Sequence, residues 1–337
     1  MKKSISLLLI MALMIAGFAY LGSVVKEKHS MSDLTVTIIV PSQAGDKAFS
    51  DSAYEGGKYL TEYGVNVSYI ECKDEGYKPQ MMKAAAESDM VVCVGPEFWE
   101  ITDVTQEYPY TNFIWLGASV DDPQNYTNLQ NVVFAGNEGS YLVGYVAAAM
   151  SHTGVIGAVL GDEDSYYNGV IAGFTQGARQ ANDTVEVITN HAEGNYNDFQ
   201  LGRKLASELL NQGADIIYVI PGKTGEGILM EVKAKGAQAV GLGRDAKTDN
   251  PQYDDLILCS MEEEWGLAIF NIVKNYYDYG TFDGGTVLLA DTSRHYISIT
   301  YGDKNSAQLL DIDLTAQISN LRQKIINREI KVDTAVQ

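Results

Sequence analysis

From Leu34 onward, short apolar runs alternate with amphipathic stretches, and no other feature of the chain constrains its fold as strongly. Ten runs read as strands: Leu34–Val40, Val65–Ile70, Met90–Val94, Asn112–Leu116 and Asn131–Ala135, then Val155–Leu160, Val185–His191, Asp215–Ile220, Gln238–Gly241 and Leu256–Met261. Between them lie stretches such as "AYEGGKYLTEYG", "FQLGRKLASELLNQG" and "GEGILMEVKAKG", each closing on glycine as a helix C-terminal cap does. Continuous Val/Ile runs separated by helices indicate parallel sheets covered on both faces. Two sets of about five strands indicate two doubly wound α/β domains rather than one. The 337 residues suffice for that. The change of set falls near "VVFAGNEGSYLVGYVAAAMS", a short crossover with no low-complexity linker.

Charge narrows the partners. Asp and Glu number 44 against 24 Lys and Arg, a net charge of −20. Such a surface repels phosphate backbones, so nucleic acid is not expected as a partner; most of the acidity reads as solubility. The three cysteines, Cys72, Cys93 and Cys259, show no metal-ligand spacing and no disulfide framework. Cys93 and Cys259 sit in apolar runs and read as small core residues. The four histidines form no H-x-x-H pattern. No metal or cofactor is implied.

Enzyme motifs are missing too. "PSQAGDKAF" after the first strand lacks G-x-G-x-x-G, no G-x-S-x-G elbow occurs, and "PGKTGEG" is not a phosphate loop. Catalysis is the poorer reading.

Lys2 and Lys3 precede the uncharged run Ser4 to Val25, the pattern of an export signal. Its length also suits an uncleaved membrane anchor. Either way, the rest of the chain is expected outside the cytoplasm.

In open α/β sheets, ligands bind beyond the carboxyl ends of the strands. Those positions carry "GDKAFSDS", "GPEFWE", "GASVDD", "PGKTGEG" and "GRDAKTD", which offer polar groups and aromatic rings together. Each candidate has a plainer alternative. Phe49 is either a ring for ligand stacking or ordinary core. Asp46 either bonds a ligand or caps the helix that starts near Ser50. Asp245 is a cleft acid or a solvated loop acid. Trp99 touches ligand or packs its lobe. Asn137 and Glu138 read as opening the helix that follows them.

The blocks "DKAFSDSAYEG", "NVVFAGNEGSYLVGYVAAAMS", "GAVLGDE", "IAGFTQGAR", "GNYNDFQLGRKLASELLNQGADIIYVIPGKTGEGI" and "AVGLGRDA" occur in an order and spacing that resemble the basic membrane protein (BMP) family. Those are extracytoplasmic substrate-binding proteins of ABC transporters, many of them nucleoside binders. The resemblance covers Leu34 to roughly Tyr301. It implies a type I periplasmic-binding fold, two lobes around a ligand cleft, no catalysis and a membrane permease as partner to a monomeric receptor. The expected division is 1–33 for the signal or anchor, 34–134 plus 263–283 for lobe 1, and 135–262 plus 284–337 for lobe 2.

Carried over residue by residue, the family's D-x-x-F-N reads Asp46-Lys47-Ala48-Phe49-Ser50, with Ser50 for the usual Asn. The resemblance gives Phe49 a base-stacking role, with Asp46 and Ser50 along the base edge. A family Asp at the end of the fourth strand is Gly117 here, with Asp121 and Asp122 a turn later. The G-V-D-x-D block reads Gly241 to Asp245 and keeps only the second acid. A basic residue expected after T-S is acidic here, at Glu263. With Trp99 and Gly222, these complete the candidate site: Asp46, Phe49, Ser50, Trp99, Gly222, Asp245 and Glu263. A basic-to-acidic change in a buried cleft alters which charges it accepts. The expected function is binding of a small polar, nucleoside-like solute by hinge closure; a membrane-anchored sensor or regulator that feeds no transporter is the alternative.

Overall fold

A computed structural model describes residues 33–41, 43–72 and 76–335. The apolar N-terminal run lies outside them. No helix among the described residues is long and apolar enough to cross a membrane.

Two six-stranded sheets form the two lobes. The first contains β1 (Thr35–Val40), β2 (Asn66–Glu71), β3 (Met90–Val94), β4 (Asn112–Leu116), β5 (Leu129–Phe134) and β11 (Thr286–Ala290), in the order β11-β5-β4-β3-β1-β2. All its pairings are parallel. The second contains β6 (Val155–Leu160), β7 (Glu186–His191), β8 (Ile216–Val219), β9 (Gln238–Gly241), β10 (Ile257–Glu263) and β12 (Ile297–Thr300), in the order β12-β10-β9-β8-β6-β7. Here β12 runs antiparallel to β10. The central strand β3 is buried along its whole length, whereas the edge strand β2 is only partly covered. That is why β3 reads as an unbroken apolar run and β2 does not.

Helices α1 (Phe49–Tyr63), α2 (Tyr77–Glu87), α3 (Ile101–Glu107) and α9 (Trp265–Tyr279) clothe the first sheet. Helices α4 (Gly136–Met150), α5 (Ser165–Ala181), α6 (Phe199–Asn211), α7 (Gly222–Lys235), the short α8 (Ala246–Asp249) and α10 (Ile312–Ile326) belong to the second lobe. Helices α1 and α9 touch through glycines. A methyl group on Gly56 would stand 2.5 Å from the carbonyl oxygen of Gly266, so any side chain there would force the helices apart.

Two boundaries differ from the sequence expectation. Residues 284–290, assigned there to the second lobe, carry β11, which pairs with β5 from Thr286 against Gln130 to Ala290 against Phe134. Helix α9 packs on α1 and delivers the chain to the open edge of the first sheet, where a parallel strand satisfies that edge. Glu263, assigned to lobe 1, is the last residue of β10 in the second sheet.

The chain therefore crosses between lobes three times: after β5, after β10 and after β11. The crossings are tied together. Ala135 N–H donates to the Ala290 carbonyl at 3.0 Å and Glu264 N–H to the Tyr296 carbonyl at 2.9 Å. Glu138 accepts from Thr292 N–H at 2.8 Å. Its carboxylate thus links the first and third crossings. Three crossings, bonded to one another, join the two lobes.

Candidate functional site

Residues past the strand ends of both sheets meet at the lobe junction. The loop after β1 is shaped by two acids. Asp46 Oδ1 accepts from the backbone N–H of Ala48 (2.9 Å) and Asp51 (3.2 Å). Asp51 in turn accepts from Gly45 N–H (2.6 Å) and Lys47 N–H (2.9 Å). Asp46 thus does the capping work named as its plainer alternative. Held between them, Lys47 adopts φ 53°, a left-handed conformation that costs a non-glycine residue roughly 1 kcal/mol or more. Its side chain crosses the junction to Glu226 Oε1 of α7 at 2.5 Å and Asn250 Oδ1 at 3.0 Å.

A second bridge comes from the other lobe. Arg244, past β9, bonds Asp249 at 3.1 Å and reaches Glu55 of α1 at 3.3 Å. Between the two bridges remains a cavity of about 20 Å³, lined by Lys47, Gly222, Glu226, Arg244, Asp249 and Asn250 among others. That holds about one water, so the lobes are shut on this side. Gly222, at the start of α7, has φ +81° and lies so near the Tyr196 backbone that a methyl group would approach its carbonyl oxygen to 2.5 Å.

The base of the junction is aromatic. Trp265 stacks on Phe134 (centroids 4.5 Å, 20°) and on Phe49 (5.0 Å, 29°). Its indole N–H donates to Glu263 Oε2 at 2.9 Å, and Tyr166 O–H from the second lobe donates to Oε1 at 2.9 Å. Glu263 is 4% exposed. Burial pushes its pKa up to about 7, against the downward pull of the two hydrogen bonds. Burial also holds Tyr166 well above the usual phenol range, with the Glu263 charge adding to it.

Gly117, where the family resemblance implies an Asp, lies under this indole. A methyl group there would stand 2.7 Å from Trp265 Cη2. Trp265 thus occupies the space an acid side chain would need. Asp121 and Asp122 are exposed and do not replace it.

The other candidates scatter. Ser50 is fully buried one residue inside α1. Trp99 is 70% exposed, while its neighbour Phe98 is fully buried against Tyr77 at 4.9 Å. Asp245 caps α8 by accepting from Lys247 N–H (3.2 Å) and Thr248 Oγ1 (2.7 Å). The geometry therefore brings together Phe49 and Glu263 through Trp265, and sets Asp46 and Gly222 on the rims. Trp265, Tyr166, Lys47, Glu226, Arg244 and Asn250 enter the junction without having been singled out from sequence. "EEEWG" at a strand end was a usable signal for Trp265; nothing in "DSYYNG" marks Tyr166.

A larger concavity of about 540 Å³ lies outside the junction, over the α1–α9 contact, lined by Glu55, Tyr59, Glu62, Glu264, Leu267 and Phe270 among others. Its floor is a tight helix pair, which makes it an open surface groove rather than an enclosing site.

Comparison with known proteins agrees with this architecture. The family profile described as ABC transporter substrate-binding protein, PnrA-like, matches residues 34–335. "Basic membrane protein A2" of Borrelia garinii subsp. bavariensis is 27% identical over 303 residues, covering 88% of this chain and 87% of that protein. The "ABC transporter nucleoside-binding protein BmpA" of Lactococcus lactis subsp. cremoris is 24% identical, covering 84% and 82%. An ABC transporter solute-binding protein of Aeropyrum pernix K1 has the same fold, with a TM-score of 0.76 at 23% identity over 90% of this chain and 94% of that one.

Proposed function

Because the chain belongs to the PnrA-like family of ABC transporter substrate-binding proteins, we propose that it is an extracytoplasmic receptor that closes on a small, neutral, nucleoside-like solute and presents it to a membrane permease. One observation carries this reading: an aromatic column, Phe134–Trp265–Phe49, stands beside the buried Glu263 where the chain crosses between lobes. A flat ring extends such a column, at about 1–3 kcal/mol per stacked base in comparable settings. The name of the Lactococcus relative supports the nucleoside class.

Closure belongs to the same reading. A ligand held by Phe49 on one lobe and by groups around Tyr166 on the other has greater affinity for the shut form and draws the equilibrium toward it. The bridges Lys47–Glu226 and Arg244–Glu55 add little, since partly exposed pairs contribute about 0–1 kcal/mol each. The ligand supplies the decisive difference between open and shut.

The acids set the charge preference. A phosphate buried beside Glu263 would cost several kcal/mol unless paired. Thermal-shift titration of the purified full-length protein with nucleosides and their 5′-monophosphates tests the proposal. Nucleosides should raise the melting temperature and the monophosphates should not. Stabilisation by the phosphorylated compounds, or by none of the nucleosides, would sink it.

A further inference from the structure

Glu97 stands in the loop between β3 and α3, and the family resemblance assigns it no role. Its Oε2 is buried and has no hydrogen-bond partner among the described residues. Orphaned buried carboxylate oxygens are costly and rare, and where they persist they call for a partner. Burial accordingly raises its pKa.

Three features set this oxygen beside the ring to which the proposed function gives ligand stacking. A methyl group on Gly95 would stand 2.3 Å from Glu97 Oε2 and 3.4 Å from Phe49 Cε2, so the carboxylate and the ring flank one point above that glycine. Gly95 has φ +114°, and its carbonyl accepts from Trp115 Nε1 at 2.8 Å, which fixes the glycine on which the carboxylate rests. Across the junction, Tyr196 of the second lobe, bonded to Tyr167 at 2.8 Å, lies close enough to feel the Glu97 charge.

We infer that Glu97 is a specificity-determining residue: its free oxygen accepts a hydrogen bond from an amine carried by the flat ring that stacks beside Phe49. This rests on the binding function proposed above and narrows it to amine-bearing heteroaromatic rings. Glu97 accepts without donating when ionised, so it rewards N–H on the ring and penalises a ring that offers only acceptors.

The test compares adenosine with purine riboside, the same ring without the amine, by calorimetric titration of the full-length protein and its Glu97→Met variant. Met keeps the length and removes the acceptor. The native protein should prefer adenosine by about tenfold or more, as expected for a hydrogen bond to a charged group. The variant should bring the two within about threefold, mainly by losing adenosine affinity. Without ligand, the variant should melt close to the native protein: it loses the local backbone hydrogen bond to the carboxylate but no longer buries an oxygen that has no partner among the described residues. Equal binding of both compounds by the native protein overturns the role of Glu97 and leaves the nucleoside reading standing. Binding of neither overturns both. A variant that melts well below the native protein shows a structural carboxylate and also overturns the inference.

Discussion

Replacing Glu263 by Gln should make the protein more stable at pH 8 and leave it nearly unchanged at pH 4. The protonated carboxyl can donate to Tyr166 and accept from Trp265, and a carboxamide reproduces that pattern with its N–H₂ and oxygen. Gln therefore mimics the protonated form. In the unfolded chain the carboxyl titrates near about 4.3; in the folded protein burial pushes it up to about 7. Between these values the folded state binds a proton that the unfolded state has lost, so stability falls as pH rises through this window and levels off above it. The integrated loss is about 4 kcal/mol, and Gln escapes it. Glu262 is also raised to about 7 by burial and the neighbouring acids, but it titrates in both proteins and largely cancels in the difference. Urea unfolding of native and variant protein from pH 4 to pH 8 gives that difference directly. A variant less stable by a constant amount at every pH would mean that Tyr166 and Trp265 hold the charged form comfortably. The burial argument would then fail.

Two other perturbations probe the junction. Phe49→Ala should weaken adenosine binding by about ten- to a hundredfold, while costing less stability than the roughly 3–5 kcal/mol of a truncated core Phe, since the ring is only partly buried. Normal titration with a loss of several kcal/mol in urea would make Phe49 core and nothing more. Lys47→Ala combined with Arg244→Ala removes both cross-lobe bridges, worth together about 0–2 kcal/mol. The ligand-free protein should then show a larger radius of gyration in solution scattering, restored by saturating ligand; an unchanged value would mean that hinge strands alone set the angle.

Much of the fold was legible because parallel strands buried on both faces must be apolar throughout. β3, β4, β6 and β9 occupy the same residues as the apolar runs Met90–Val94, Asn112–Leu116, Val155–Leu160 and Gln238–Gly241. β11 escaped for the complementary reason. It is an edge strand with Thr286, Val287 and Leu289 exposed, so "TVLLA" carried no sign of which sheet it would join. Sequence position favoured the second lobe, but the packing of α9 on α1 decided for the first.

The candidate site was less legible because its decisive contacts join residues distant in sequence. Gly117 alone reads as a lost acid, and Glu263 alone as a reversed charge. In space they flank one indole: Trp265 lies over Gly117 and donates to Glu263. An Asp at 117 would collide with that ring and set a second carboxylate near a buried one, so the glycine is the residue that permits both Trp265 and Glu263. The two departures implied by the resemblance thus meet at one place, an aromatic column beside a buried acid. Under the proposed function, such a column favours a flat, neutral ring over an anion. Under that same function, what distinguishes one neutral ring from another falls to groups at its edge, and Glu97 beside Phe49 has one oxygen without a hydrogen-bond partner among the described residues.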